Sequence, residues 1–360
     1  MFNARKCLAA LGLSLCALLL SACSKKPNEL HLYNWNNYIA AETVSRFEAE
    51  CKCKVVQTYY SDNEELLAKL AAGAKGYDIL VPTGNALDAL IKQGALLPID
   101  RAQLSNWKNL NPAYLNQEFD PGNKYSVPYA YTITLIGYND KRIGEAGVAV
   151  DSWAAIFNPA ALEKVKGKVT VLDSANELFA AALKYRGYSA NDADPAHWKE
   201  AADAIVKAKP YWAAFNASSY IKELTVGNIW LVHGYSNDVF QANLDADAAK
   251  RDFHLAAALP KEGAVLALDS MVIHKDAPRP DLAHKFINYM LDGKNSAELT
   301  NLIGSGNPNS DALQYIRPEI RENKAIFPDA ETVKKLEMLK DLSAEQRRMR
   351  NQMWTEIKLK

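Results

Sequence analysis

Apolar positions along the chain switch repeatedly between a period of two and a period near 3.6. His31-Leu32-Tyr33 is a strand-like run, and Val44, Phe47 and Cys51 after Glu42 fall at helical spacing. Residues 54–57 are again strand-like. Ser61-Asp62-Asn63-Glu64 forms a capping box ahead of Leu66, Leu67 and Leu70, with Gly73 as a stop. Residues 77–81 predict a buried strand ending at Pro82, and 86–92 a short helix ended by Gly94. The rhythm resumes with strands at 168–172, 229–232, 253–259 and 266–274. Helices are expected from Asp173 or Ser174 to about Tyr185, from about Ser236, over 280–291, and through the last ~30 residues. In that last stretch Arg347, Arg348 and Arg350 read as a solvated face. Strand–helix alternation predicts an α/β fold with a largely parallel sheet. No internal repeat, low-complexity tract or Gly/Ser linker breaks the chain, so two domains are expected to share crossing strands, with 127–139 and 253–259 as the candidates.

The first residues follow a different pattern. Arg5 and Lys6 precede an apolar run over 7–20, too short to span a membrane and ending in Leu20-Ser21-Ala22-Cys23. That ending resembles the lipobox of bacterial lipoproteins. The expectation is a signal peptide over 1–22, a lipidated Cys23 and a polar tether over 23–28. An ordinary secretory signal or an unusual buried helix are the other readings. The whole chain of 360 residues balances 42 Lys+Arg against 42 Asp+Glu. Without Arg5 and Lys6, 40 basic residues face 42 acidic ones. No basic excess supports nucleic-acid binding. No phosphate-cradling Gly-rich motif follows a strand, and ATP-driven chemistry does not suit an exported chain.

Candidate chemistry gathers where strands give way to helices, as ligand sites do in open α/β sheets. Asn34-Trp35-Asn36-Asn37-Tyr38 offers two aromatic faces for a ligand or cation, or two half-buried rings that pack on a neighbouring loop. Thr83, in Val81-Pro82-Thr83-Gly84-Asn85, reads first as a helix cap. Glu177 sits in a first helical turn, favoured by the dipole or facing a cleft. His233-Gly234-Tyr235-Ser236-Asn237-Asp238 places Tyr235 and Asp238 three apart. Asp269 interrupts an apolar strand, where a buried carboxylate needs a partner or a ligand.

With these stretches in view, the chain resembles the bacterial periplasmic polyamine-binding proteins, receptors for spermidine and putrescine uptake. Tyr33 to Ile39, Tyr77-Asp78-Ile79-Leu80-Val81-Pro82, Tyr125-Ser126-Val127-Pro128-Tyr129, Val150-Asp151-Ser152-Trp153, Leu259-Pro260-Lys261-Glu262-Gly263 and Phe327-Pro328-Asp329-Ala330 carry the likeness in family order, from about residue 30 to 355. The resemblance implies a bilobal periplasmic-binding-protein fold (type II), with two interleaved α/β lobes joined by crossing strands. Lobe 1 would take 29–133 and 262–303, and lobe 2 134–261 and 304–360. It implies a ligand site of Trp35, Asn36, Asn37, Tyr38, Thr83, Glu177, Tyr235, Asp238 and Asp269. It also implies a monomer in the periplasm, anchored through Cys23, that takes a small cationic amine to an ABC-transporter membrane permease. Four positions depart from the family pattern: Asn37 for an acid, Tyr235 for a Trp, Ala267 for a large aromatic and Ser305 for a Tyr. Those departures leave room for a different amine or diamine, a bulkier cationic solute or a ligand outside the class; separate alternatives are a receptor for an amino-acid-like or other cationic solute and a sensory subunit that reports occupancy. An enzyme on the same fold would need a base with a nucleophile or metal, and acids and aromatics stand there instead.

Cys51-Lys52-Cys53 is balanced between a disulfide and two thiols, because an extended strand points the two side chains apart and only a turn lets them meet. The six histidines (His31, His197, His233, His254, His274 and His284) show no metal-ligand spacing. Tyr59-Tyr60 lies at a strand end and reads as packing. No cofactor and no metal is implied.

Overall fold

The computed structural model describes residues 28–216 and 218–359, so the expected signal peptide over 1–22, Cys23 and the expected tether up to residue 27 lie outside the described residues. The first strand, β1 (Glu29–Trp35), lies parallel between β2 (Lys54–Tyr60) and β3 (Ile79–Leu80). The helix Ala41–Cys51 connects β1 to β2 and buries Thr43, Val44 and Phe47 at the spacing the sequence predicts. The next helix, Asn63–Ala71, starts one residue later than the predicted box. Extended Asp62 accepts a bond from Glu65 N at 2.7 Å, and the Glu65 carboxylate takes Ser61 N at 2.9 Å. The helix Gly84–Lys92 leads to β4 (Leu96–Leu97).

One long strand, β5 (Ser126–Asn139), then runs through the molecule. After it come β6 (Val169–Val171), β7 (Ala214–Phe215), β8 (Leu231–Tyr235), β9 (Leu255–Ala258), β10 (Ala264–His274) and β11 (Leu336–Glu337). The sheet order is β2-β1-β3-β10-β5-β8-β6-β7, with β4 and β11 on β10 and β9 on β5. The outer strands of each half pair in parallel, while the central strands β5 and β10 pair antiparallel.

Two separate cores flank this centre. One gathers Leu30, Phe47, Ile79 and Phe286, and the other Trp153, Phe157, Phe179, Trp198 and Leu231. β5 gives Val127 and Tyr129 to the first and Ile133 and Ile136 to the second; β10 gives Met271 and Ile273 to the first and Leu266 and Leu268 to the second. The bilobal α/β architecture thus rests on β5 outward and β10 back. The return is not made over 253–259, since β9 pairs only with Ile136 to Asn139 at the far end of β5. On β5, Gly137 lies where a side chain would run into Val239 and Val232, so the helix Ser236–Ala248 sits directly on the strand.

The β5–β10 register slips between Asp269 and Ser270, opposite Pro128 and Ala130. Pro128 has no N–H to give to a ladder, and a bulge there re-aims the residue beside it. The extra residue is Tyr129 of β5, and Asp269, beside the slip, meets Thr83 across an isolated bridge.

The chain ends in the helix Ala344–Leu359, whose Ile357 is buried in the second core. Just before it the backbone reaches over to the first lobe: Lys340 Nζ lies 2.6 Å from the Glu118 carboxylate, and Asp341 N donates to Asp88 at 3.4 Å. Cys51 and Cys53 form a disulfide with Cα atoms 5.2 Å apart. Lys52 between them takes left-handed backbone angles (φ 53, ψ 45), and this turn brings together side chains that an extended strand would separate. Among the described residues no helix is long and apolar enough to cross a membrane.

Candidate functional site

Five strands, β1, β2, β3, β6 and β8, direct their carboxyl ends at one cleft of about 810 Å³, and residues 265–269 of β10 cross its floor. That size suits a small-molecule site. Trp35, Tyr38, Thr83, Glu177, Tyr235 and Asp269 all line it. Asn36 and Asn37 turn outward and are exposed, and neither is part of the lining.

Asp269, only 6% exposed, is gripped at both oxygens: Tyr38 Oη donates at 2.7 Å and Thr83 Oγ1 at 2.6 Å. Thr83 heads the helix Gly84–Lys92 but makes no side-chain cap bond, so its hydroxyl serves the carboxylate instead. Burial pushes the Asp269 pKa up to about 6, against the pull of the two hydroxyls. Glu177, 8% exposed, accepts from Thr134 Oγ1 on β5 at 2.6 Å. Its burial pushes its pKa up to about 7. Ser174 caps the same helix through Glu177 N at 3.4 Å, which fixes where the carboxylate starts. Among the described residues neither acid has a cationic partner; each is held by hydroxyl groups alone.

Aromatic rings supply the walls. Trp35 is fixed by its indole N–H on Val81 O at 2.9 Å and by the Tyr60 ring, 4.6 Å away between centroids. Tyr38 meets Tyr129 edge-on at 5.9 Å, and Tyr129 Oη donates to Tyr38 O at 2.8 Å. Tyr235 stands among Glu177, Asp238, Asp269 and Glu64, and burial together with those charges raises its pKa well above the usual value.

Asp238 sits behind the lining. It accepts from Tyr220 Oη and, at 2.9 Å, from Asn237 Nδ2. Asn237 does line the cleft and takes the Thr132 hydroxyl at 2.7 Å, so Asp238 touches the site through its neighbour. Burial raises the Asp238 pKa as well.

Of the four departures noted in the sequence, Tyr235, Ala267 and Ser305 line the cleft and Asn37 does not. Ser305 is 1% exposed, and its hydroxyl has no hydrogen-bond partner. It is seated by Gly306, which exchanges backbone bonds with Tyr131 at 2.8 and 3.2 Å and lies so close beneath that ring that no side chain fits.

Some lining residues were not anticipated. Ser61, Asp62, Asn63 and Glu64 were read as a capping box only, although they follow β2 as the other junctions follow their strands. Arg350 was placed on a solvated face, but the C-terminal helix turns it into the cleft, where its guanidinium donates to Asn176 Oδ1. Arg347 and Arg348 are exposed as expected. The lining therefore carries Asp62, Glu64, Asp173, Glu177 and Asp269 against the single cation Arg350, with Asp173 already paired to Lys358 at 2.6 Å. Such a surface attracts cations and desolvates them beside rings. Among the described residues no group of three or more His, Cys, Asp or Glu is placed to hold a metal ion.

The chain matches the family described as bacterial extracellular solute-binding protein over residues 42–328. It is 58% identical over 332 residues to the putrescine/cadaverine-binding protein of Pseudomonas aeruginosa, covering 92% of this chain and 94% of that protein. It is 36% identical to the putrescine-binding periplasmic protein PotF of Escherichia coli, covering 96% and 95%. Among solved structures, the spermidine/putrescine ABC transporter substrate-binding protein PotD of Streptococcus pneumoniae superposes with a TM-score of 0.82 at 28% identity, over 92% of this chain and 99% of that one.

Proposed function

We propose that this chain, which belongs to the bacterial extracellular solute-binding proteins, takes up a polyamine in the cleft between its lobes and delivers it to the permease of an ABC transporter. It is a binding protein and not an enzyme. The observation that carries the ligand reading is the pair Glu177 and Asp269, two buried carboxylates held only by hydroxyl groups in an aromatic-walled cleft. An ionised carboxylate without a cation is costly to bury, and an ammonium group supplies the missing charge. Two such poles suit the two ends of a diamine. Trp35, Tyr38 and Tyr235 give faces for its methylene chain and for cation–π contact. Thr83 positions Asp269, and Asp238 supports the site through Asn237. In this reading Asn36 and Asn37 rim the entrance.

The lobes close on the solute by bending where β5 and β10 cross, a hinge made of strand residues. The protein acts as a monomer in the periplasm, held to a membrane by lipid on Cys23; the Leu20-Ser21-Ala22-Cys23 ending supports the anchor. Isothermal titration with putrescine, cadaverine, spermidine and spermine tests the ligand. Saturable heat with at least one of them is expected, and no heat and no thermal shift with any of them refutes the polyamine reading. Replacing Cys23 by Ala should release the protein from the membrane fraction.

A further inference from the structure

Arg350 is the one cation in a lining otherwise supplied with carboxylates. Among the described residues its guanidinium reaches no acid within ion-pair distance; it bonds the side chains of Asn176 and Asn351. Asn176 immediately precedes Glu177, in the first turn of the helix Ala175–Tyr185, so Arg350 stands next along the wall from that pole. Burial lowers the Arg350 pKa, and from the opposite lobe Glu64, in the first turn of the helix Asn63–Ala71, lines the same cleft and opposes that shift with its charge. The backbone leading to Arg350 is tied to the first lobe by Lys340 to Glu118 at 2.6 Å, and Arg347 is tied to Asp341 at 2.8 Å. The segment before the helix is thus tied to the first lobe, while the guanidinium itself is held by Asn176 and Asn351.

We infer that Arg350 is a stop that limits the site to ligands with two ammonium groups. This rests on the polyamine reading. Asp269 and Glu177 are the poles for two ammoniums, and a longer amine that passes Glu177 brings its third ammonium to Arg350. Like charges there repel, and Glu64, which lines the same cleft from the opposite lobe, is the acid that would receive that ammonium were the arginine absent. The rest of the lining argues against a ligand carboxylate as the partner of Arg350, because five acids surround any solute that enters.

Calorimetry on the purified protein, with putrescine, cadaverine, spermidine and L-lysine, separates the outcomes. The wild type should bind a diamine at least about tenfold more tightly than spermidine, the factor that ~1.4 kcal/mol of repulsion supplies. Arg350→Gln should narrow that ratio about tenfold by tightening spermidine, with diamine affinity changed less than about threefold. Arg350→Lys should keep the wild-type ratio. Adding Glu64→Gln to Arg350→Gln should remove the gain, since that acid is what receives the third ammonium. An unchanged ratio in Arg350→Gln overturns the inference, as does an equal loss of all amines, which marks a structural role. Preference for lysine, lost in Arg350→Gln, overturns it too by making the arginine an anchor for a carboxylate. A wild type that melts cooperatively yet binds no amine removes the polyamine reading itself, and the stop with it.

Discussion

Glu177 and Asp269 share a chemical predicament: each is buried, each is offered only hydroxyl donors, and each is therefore reluctant to ionise in the empty protein. Their folded pKa values, about 7 and about 6, lie above those of ordinary carboxyl groups. The stability they contribute is fully present below their unfolded pKa values and is lost as pH rises through 6 to 7. The melting temperature of the ligand-free protein should fall between pH 5 and pH 8 by more in the wild type than in Glu177→Gln, as followed by differential scanning calorimetry. Ligand affinity should move the other way. A diamine needs both carboxylates charged, so its affinity should rise at least about tenfold from pH 5.5 to pH 8, with proton release at neutral pH that titrations in buffers of different ionisation enthalpy detect. Asp269→Asn leaves an ammonium without its counter-charge and should cost roughly 2–5 kcal/mol of binding, at least about thirtyfold in Kd. Much of this site is legible in the sequence, because a carboxylate in an apolar strand needs a partner or a ligand and sites of open α/β sheets gather just beyond strand ends. Arg350 is not, since nothing in a polar C-terminal helix says which of three neighbouring arginines will meet a cleft built from residues far away in sequence.

Periodicity names most elements, and local chemistry sets many of their starts. The helix Ala175–Tyr185 begins where Ser174 can cap it, and the helix Ala41–Cys51 buries the stripe its spacing announces. What periodicity does not encode is the pairing partner. Residues 255–258 and 264–274 are both apolar strand segments, yet only the second reaches both cores. The bulge at Tyr129, opposite Asp269 and Ser270, is likewise a property of two strands together, arising where Pro128 withholds a ladder donor. The Cys51–Cys53 bridge depended on the turn at Lys52, which residue types alone leave open. Under native, unreduced conditions neither cysteine should take an alkylating reagent, as read by mass spectrometry of the intact protein; two labelled thiols would contradict the bridge. Where elements meet without spare space, Gly137 is the sensitive point. Gly137→Ala drives a methyl into Val239 and Val232, and should destabilise the protein by about 1–3 kcal/mol in urea unfolding.

Across the whole molecule the two lobes are not successive stretches of chain. The first is assembled from the N-terminal strands and from β10 with the helix Pro280–Met290, more than a hundred residues later. Closure of such a body on a ligand should reduce its radius of gyration in solution scattering, and an unchanged value at saturating diamine would count against the hinge. The resemblance implies two interleaved lobes, but which strand makes the return is visible only once β5 and β10 are paired. That arrangement also governs how the protein acquires its shape. Until residues 264–274 exist and have found their place, β3 and β5 are bare edges and the core around Leu30 and Ile79 lacks Met271 and Ile273. A nascent chain cut at residue 260 should therefore stay unfolded and protease-sensitive along its whole length. Folding waits for contacts distant in sequence and is slow, so the polypeptide passes through a long interval in which it can still be threaded in extended form.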